Sequence, residues 1–129
     1  MKSYLLDTHT LLWMIADDPR LGEASKEAIT DNRNRLFFSM VGYWEICIKV
    51  SIEKLRLSKT WPDIIDREML QNGIEWLPIR QQHLLGVIDL PFHHRDPFDR
   101  LLVSQAKAES LTIISRDSQL RSYDIECVF

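Results

Sequence analysis

Four acidic side chains could together form a metal site: Asp7, Glu45, Asp99 and Asp117. Asp7 and Asp117 each follow a short apolar run typical of a buried strand, and Glu45 lies within an apolar stretch typical of a helix. Hard divalent cations such as Mg²⁺ and Mn²⁺ prefer carboxylate oxygens as ligands. Four clustered carboxylates would repel each other without a cation. These residue types therefore indicate a Mg²⁺ or Mn²⁺ site, and one or two such ions can support phosphodiester hydrolysis by a metal-activated water.

Three of these acids also have a simpler structural explanation. Asp7 and Asp117 can each accept a backbone hydrogen bond as the N-cap of a helix or turn. Asp99 falls at the third position of a helix that Asp96 and the following proline are expected to begin, where the helix dipole favours an anion. Taken singly, each of the three is explained at least as well by capping as by metal binding.

Glu45 is the acid that capping does not explain. Its structural alternative is an exposed ion pair with Lys49, one helical turn later. The helix at 40–52 has apolar residues most of the way round, so we expect it to be largely buried. A carboxylate on such a helix needs a strong partner. A bound cation would be one, and Gly42, one turn earlier, would leave room beside it.

The elements that must position these acids alternate along the chain. The predicted strands are 3–6, 35–38, 74–77, 111–114 and 125–129. The predicted helices are 8–16, 22–32, 40–52, 61–72, 81–88 and 97–109, with a turn or short helix at 117–120. This alternation predicts one α/β domain over 1–129, with a parallel sheet of about five strands and helices on both faces. In such sheets ligands bind beyond the carboxyl ends of the strands, where we expect the acids to converge.

Composition favours a soluble globular protein, with 45% hydrophobic and 27% charged residues. The longest apolar run covers 11–16, whereas a membrane span needs about 20 residues. The N-terminus lacks the pattern of a signal peptide, so we expect a cytoplasmic protein without a membrane partner. The net charge of −3 weighs against a general nucleic-acid binder. Residues 49–59 nevertheless carry four basic side chains against Glu53 alone, which fits RNA contact and a solvated surface equally.

Other common kinds of site lack support. The four histidines show no HxxxH or HExxH spacing for zinc, and the chain has neither a glycine-rich phosphate loop nor a GxSxG motif. Cys47 and Cys127 are 80 positions apart, and we expect two reduced, buried thiols.

Four motifs in order along the chain resemble those of the PIN-domain nucleases. They are LLDTHTLLW at 5–13, SMVGYWEICIK at 39–49, HRDPFDRLLVSQA at 94–106 and TIISRD at 112–117. The resemblance is greatest to the toxins of VapBC-type toxin–antitoxin systems. It implies a three-layer α/β/α fold and a Mg²⁺- or Mn²⁺-dependent endoribonuclease. It also implies a homodimer that a small antitoxin neutralises.

Carried over residue by residue, the resemblance assigns the four family acids to Asp7, Glu45, Asp99 and Asp117. Asp96 is close enough to compete for the third place, but its position before Pro97 already explains it as a helix cap. The resemblance also implies supporting roles for Ser115, whose hydroxyl would orient a ligand or water, and for Thr8, which is the weaker candidate. His9 replaces an asparagine that is frequent in the first motif.

The resemblance further implies a partner at the acidic site. An antitoxin tail could bring an arginine to the same carboxylates that hold the metal, and an aromatic side chain of that tail could pack in an apolar groove beside them.

Several other functions remain open at this point. Within enzymes, the alternatives are a metal-dependent DNA nuclease and a phosphatase, although a haloacid-dehalogenase-type phosphatase would need an Asp where His9 stands. A phosphate-accepting signalling receiver would not place an acid on a helix as Glu45 is placed. A non-catalytic PIN-like RNA-binding module would not need all four acids.

Overall fold

The computed structural model describes residues 1–93 and 95–129. Its strands are β1 (Ser3–Leu6), β2 (Arg35–Ser39), β3 (Ile74–Leu77), β4 (Thr112–Ile114) and β5 (Cys127–Val128). Its helices are α1 (Thr8–Ile15), α2 (Glu23–Thr30), α3 (Met40–Ser51), α4 (Trp61–Gln71), α5 (Gln81–Ile88) and α6 (Pro97–Glu109), and a 3₁₀ turn covers Ser118–Ser122. The predicted elements are confirmed, and the largest difference is β5, which is shorter than predicted. His94, which begins the third motif, lies outside the described residues.

All five strands are parallel, in the order β3-β2-β1-β4-β5. The central strand β1 pairs on one side with β2 and on the other with β4, so that Leu5 is in register with both Phe37 and Ile113. Strands β2 and β3 are therefore added on one side of β1, and β4 and β5 are added on its other side. A crevice forms at such a reversal, beyond the carboxyl ends of the two strands. We call that end of the sheet the carboxyl edge.

Successive side chains of the strands enter two separate cores, one on each face of the sheet. In β1, Leu6 packs into the core formed with helices α1 to α4, whereas Leu5 packs into the core formed with α6 and the 3₁₀ turn. In β4, Ile114 and Ile113 divide in the same way. Because a strand's side chains alternate between faces, both faces must be covered, and the fold is the predicted three-layer α/β/α arrangement.

Helix α3 is less buried than its composition predicts. Its buried residues are Val41, Gly42, Glu45 and Ile46, which lie on one face. On its other side the Trp44 side chain is 48% exposed. The expectation of a largely buried helix is therefore wrong, because a helix over a sheet buries the stripe that faces the sheet, whatever apolar residues lie elsewhere on it.

The two cysteines are free, as expected, but they are not buried. Cys47 lies on the outer side of α3 and is exposed, and Cys127 is only partly covered. The prediction of buried thiols is therefore wrong: Cys47 lies off the stripe of α3 that faces the sheet, and Cys127 lies on β5, the edge strand of the sheet.

Among the described residues, no helix has both the length and the apolar character needed to cross a membrane.

Candidate active site

Asp7 follows β1 directly and is tied to the neighbouring strand. Its backbone N–H donates to the carbonyl of Ile114 at 3.1 Å, which extends the pairing of β1 with β4. Its Oδ1 accepts from the backbone N–H of Thr10 at 2.9 Å, so the expected N-cap of α1 is present. The buried Thr10 hydroxyl donates to the same Ile114 carbonyl at 2.9 Å. Together these bonds hold the Asp7 carboxylate at the carboxyl edge.

Asp117 reaches the same edge from β4 through a tight turn. The buried Ser115 hydroxyl accepts from the backbone N–H of Asp117 at 3.0 Å, and Asp117 Oδ1 accepts from the backbone N–H of Gln119 at 2.9 Å. Asp117 is thus the N-cap of the 3₁₀ turn. Ser115 shapes this turn and is not among the described residues that line the cleft beside it.

The first turn of α6 supplies two further carboxylates. Asp96 Oδ1 accepts from the backbone N–H groups of Phe98 and Asp99, at 2.8 and 3.4 Å. Asp96 is therefore the helix cap, as predicted, with Pro97 at the first helical position. Asp99 lies in the same turn, where the helix dipole favours an anion.

Glu45 lies on the buried face of α3, and its side chain is only 10% exposed. Its Oε1 accepts from the Thr8 hydroxyl at 2.6 Å, and its Oε2 lies 2.7 Å from the Lys49 ammonium. The ion pair considered from the sequence is therefore present, but its carboxylate is buried rather than exposed. Burial lowers the pKa of Lys49, but the bond to Glu45 and the charges of Asp96 and Asp99 outweigh it and raise that pKa.

All the predicted acids line a single cleft of about 360 Å³ at the carboxyl edge. Among the described residues, its charged lining consists of Asp7, Glu45, Asp96, Asp99 and Asp117, with Lys49 and Arg116. Thr8 and His9 also line it. Sequence reasoning missed Arg116, although its place beside Asp117 at the end of β4 could have indicated it.

Gly42 allows α3 to approach the floor of this cleft. A Cβ at this position would stand 2.7 Å from two carbons of the buried Phe38 ring and 3.2 Å from the Thr8 hydroxyl. The absent side chain therefore lets α3 lie against α1 where Thr8 meets Glu45. Phe38 and Thr8 occupy the space that the missing side chain leaves, and the expected room for a cation beside Glu45 stays a prediction.

The donor set fits a hard divalent cation in its chemistry. Carboxylate oxygens come from two strand ends and two helices, and they line one cleft. Within residues 1–93 and 95–129, no three His, Cys, Asp or Glu side chains already stand close enough to hold a metal ion. Instead the Lys49 ammonium lies against Glu45. Binding a cation would thus require side chains in the cleft to rearrange.

A second, apolar groove of about 470 Å³ adjoins the acidic cleft. The two share His9 and Trp13. The Trp13 ring also meets the Arg20 guanidinium, 4.9 Å from its centroid. Most of the groove is apolar, with a lining that includes Leu12, Ile15, Leu55, Leu57, Trp61 and Ile64.

The sequence model of the PIN-domain family matches residues 4–126 of this chain. The chain belongs to the PIN-domain family. This PIN-domain protein is 25% identical to Ribonuclease VapC22 of Mycobacterium tuberculosis over 124 residues, which cover 95% of this chain and 93% of that one. The resemblance inferred from the motifs is thereby confirmed.

Solved structures share the fold of this PIN-domain protein. VapBC2 from Rickettsia felis, bound to a DNA fragment from its promoter, aligns with a TM-score of 0.73 at 14% identity, covering 98% of this chain and 97% of that one. DNA-bound VapBC from Salmonella typhimurium aligns with a TM-score of 0.68 at 14% identity, covering 99% and 98%. At such identities the likeness concerns the fold alone.

Proposed function

We propose that this PIN-domain protein is the toxin of a toxin–antitoxin module and acts as a Mg²⁺- or Mn²⁺-dependent endoribonuclease. The observation that carries the proposal is the meeting of Asp7, Glu45, Asp99 and Asp117 in one cleft at the carboxyl edge. Chain segments far apart in the sequence supply these acids, and capping alone does not require them to meet. The ribonuclease named among the relatives supports RNA as the substrate.

In this proposal the four carboxylates hold the cation. When bound, a divalent cation supplies positive charge that makes a water a better nucleophile and offsets the charge of the phosphate oxygens. The protein contributes orientation: backbone bonds fix Asp7 and Asp117, and the Thr8 hydroxyl fixes one oxygen of Glu45. Arg116 brings a second, permanent cation to the cleft and suits the phosphates that flank the cut.

The site is tested by the variants Asp7→Asn and Asp99→Asn, with Asp96→Asn as the matched control. We expect Mn²⁺-dependent RNA cleavage to fall at least about a hundredfold in the first two, since even groups that only support metal ligands can cost that much. Asp96→Asn should keep appreciable activity, because asparagine also caps helices. Cleavage rates on labelled RNA, with circular dichroism to verify folding, measure the effect.

Two outcomes would contradict this assignment. Undiminished cleavage by folded Asp7→Asn or Asp99→Asn would refute the proposed site. If Asp96→Asn were as inactive as Asp99→Asn, Asp96 would replace Asp99 as the third ligand. A DNA oligonucleotide of the same sequence belongs in the assay, because preferential DNA cleavage would favour the DNA-nuclease alternative. Binding of RNA without any cleavage would favour a non-catalytic module.

We also propose that a small antitoxin protein covers the site. Its support is the continuity of the acidic cleft with the apolar groove through His9 and Trp13. An arginine of a partner tail would pair with the carboxylates, while apolar side chains of the tail fill the groove. Inhibition of RNA cleavage by the product of the adjacent gene would test this. A Leu57→Glu variant should resist that inhibition.

We also propose that the protein is a homodimer that acts in the cytoplasm. The support for self-association is the apolar outer side of α5 and the loop after it, where Leu84, Leu85, Ile88 and Phe92 are between 52 and 84% exposed. Large exposed apolar side chains close together mark interaction surfaces. Light scattering should give twice the monomer mass for the wild type and the monomer mass for Ile88→Lys.

A further inference from the structure

Lys49 forms an ion pair with Glu45, one of the proposed metal ligands. Its Nζ is 2.7 Å from Glu45 Oε2, and its side chain lines the same cleft as Asp96 and Asp99. The side chain is 33% exposed, whereas that of Glu45 is 10% exposed. The ammonium thus lies against a buried carboxylate, on a side chain that is itself partly covered.

This pair differs from the other Lys and Arg ion pairs of the described residues. In those four pairs the carboxylate side chain is 20 to 88% exposed and the basic side chain 45 to 79% exposed. Exposed pairs are screened by water and contribute little to stability. In a buried pair, removing one partner leaves an uncompensated charge, which is costly. Glu45 therefore depends on a positive partner in a way that the surface acids do not.

Both oxygens of Glu45 are already engaged. Thr8 donates to Oε1, and Lys49 lies against Oε2. A divalent cation that reaches Glu45 through Oε2 must take the place of the ammonium, because two cations in contact with one oxygen repel each other strongly at this separation. The ammonium that is displaced would remain in the cleft, close to where an anionic substrate would bind.

We propose that Lys49 is a built-in counter-cation that competes with the divalent ion for Glu45. The inference rests on the proposed function, since it takes Glu45 as a metal ligand. It makes Lys49 a positioning residue that holds the buried carboxylate in place and offsets its charge until the metal displaces it. The metal affinity of the site then depends on how much more strongly Glu45 binds the divalent ion than it binds the Lys49 ammonium. Before the metal binds, Lys49 stabilises the site.

The test measures Mn²⁺ binding by calorimetry on the full chain, without RNA. Lys49→Met removes the charge but keeps the length of the side chain, and Mn²⁺ should bind at least about tenfold more tightly. Arg116→Met is the matched control, because it removes a cation from the same cleft that is not paired with Glu45. Its effect should be about threefold or less. Lys54→Met, on the exposed surface, should leave Mn²⁺ binding unchanged.

Thermal unfolding supplies a second readout. Without Mn²⁺, Lys49→Met should melt at a lower temperature than the wild type, because Glu45 is left buried without its cation. Saturating Mn²⁺ should raise the melting temperature of this variant more than that of the wild type. Lys49→Arg should have the opposite effect on binding. Its guanidinium can hold a carboxylate through two bonds, so Mn²⁺ should bind at least about threefold more weakly.

The outcomes separate this inference from the proposed function. If the wild type binds Mn²⁺ and folded Lys49→Met binds it no more tightly than Arg116→Met does, the competition is refuted while the metal site stands. If neither the wild type nor Lys49→Met binds Mn²⁺, the proposed metal-dependent function fails, and the inference fails with it. If Lys49→Met does not fold, Lys49→Arg decides, and unchanged or tighter Mn²⁺ binding by that variant overturns the inference.

Discussion

Helices α3 and α6 enclose two polar regions of opposite character. One is the acidic cleft. The other is a polar network, which we define as Ser39, His83, Ser104 and Gln105, and all four of these side chains are buried. Gln105 accepts from the Ser39 hydroxyl and donates to the carbonyl of Pro78 at 3.2 Å. Its amide nitrogen also lies 3.3 Å from Nδ1 of His83. The network joins the start of α3 to α5 and α6.

The comparison shows how the same helices serve stability and binding. In the network, side chains and backbone carbonyls satisfy each other, and His83 Nε2 also lies 3.2 Å from the Glu109 carboxylate. No buried side-chain polar atom of the described residues lacks a partner. In the cleft, five carboxylates of the described residues face two cations. A satisfied network holds helices in one arrangement. Clustered like charges destabilise the fold and favour binding of a cation. We therefore expect substitutions in the network to lower the free energy of unfolding, and removal of a charge from the cleft to change it little or raise it.

The largest contrast should come from Gln105→Leu against Asp7→Asn. Gln105→Leu removes the partner of Ser39 and of the Pro78 carbonyl, and we expect the free energy of unfolding to fall by about 2–4 kcal/mol. Asp7→Asn removes a charge from the acidic cleft, and asparagine can still cap α1, so the free energy of unfolding should fall by less than about 1 kcal/mol or should rise. Urea unfolding measures both. Equal losses in the two variants would remove the distinction between the regions.

A smaller effect is expected at Gly42, where the cleft meets the core. In Gly42→Ala the new methyl group would meet the buried Phe38 ring at 2.7 Å, and we expect a net loss of about 1–2 kcal/mol despite the better helix propensity of alanine. RNA cleavage should also fall, because the methyl group presses on the Thr8 hydroxyl that holds Glu45.

Gly73→Ala is the control for this prediction. Gly73 follows α4 with a φ of +66° and has open space around it, so alanine should cost about 1 kcal/mol through backbone strain alone. Cleavage should stay at the wild-type rate. If Gly42→Ala also kept full activity, the tight contact between α3 and Thr8 would not matter for the site.

The smallest effect concerns the two thiols. Burial raises the pKa of Cys127 to about 11, with Arg121 opposing it and the cleft acids Asp7 and Asp117 adding to it. From about pH 8.5 to 11 the unfolded thiol ionises while the folded one does not, so this contribution to stability is complete below pH 8.5 and is lost as the pH rises.

Alkylation at pH 9 tests this difference. The exposed Cys47 should react about tenfold faster than Cys127, measured in the single variants Cys127→Ser and Cys47→Ser. Adding Asp117→Asn should speed the reaction of Cys127 slightly. Equal rates at the two thiols would contradict the assigned environment of β5.

Much of the fold and the whole set of acids could be predicted from the sequence, because both depend on local patterns. Apolar periodicity and capping residues gave the elements to within a few residues, and the caps Asp7, Asp96 and Asp117 are where they were expected. The order of motifs placed the chain in its family, and the alternation of strands and helices predicted that the acids would meet at one end of the sheet. These features involve neighbours in the chain, which the sequence displays directly.

What the tertiary structure alone decided is which side chains face each other and which face water. The sequence contained the pair of Glu45 and Lys49, but only packing against α1 buries the carboxylate and directs the ammonium into the cleft. Trp44 is exposed on an apolar helix, and Gln105 is fully buried on a more polar one. Burial is a property of the assembled layers, so a pattern along one helix cannot specify it. The acids and the pairing of Glu45 with Lys49 could therefore be predicted, whereas the burial of the Glu45 carboxylate was decided only in the folded chain.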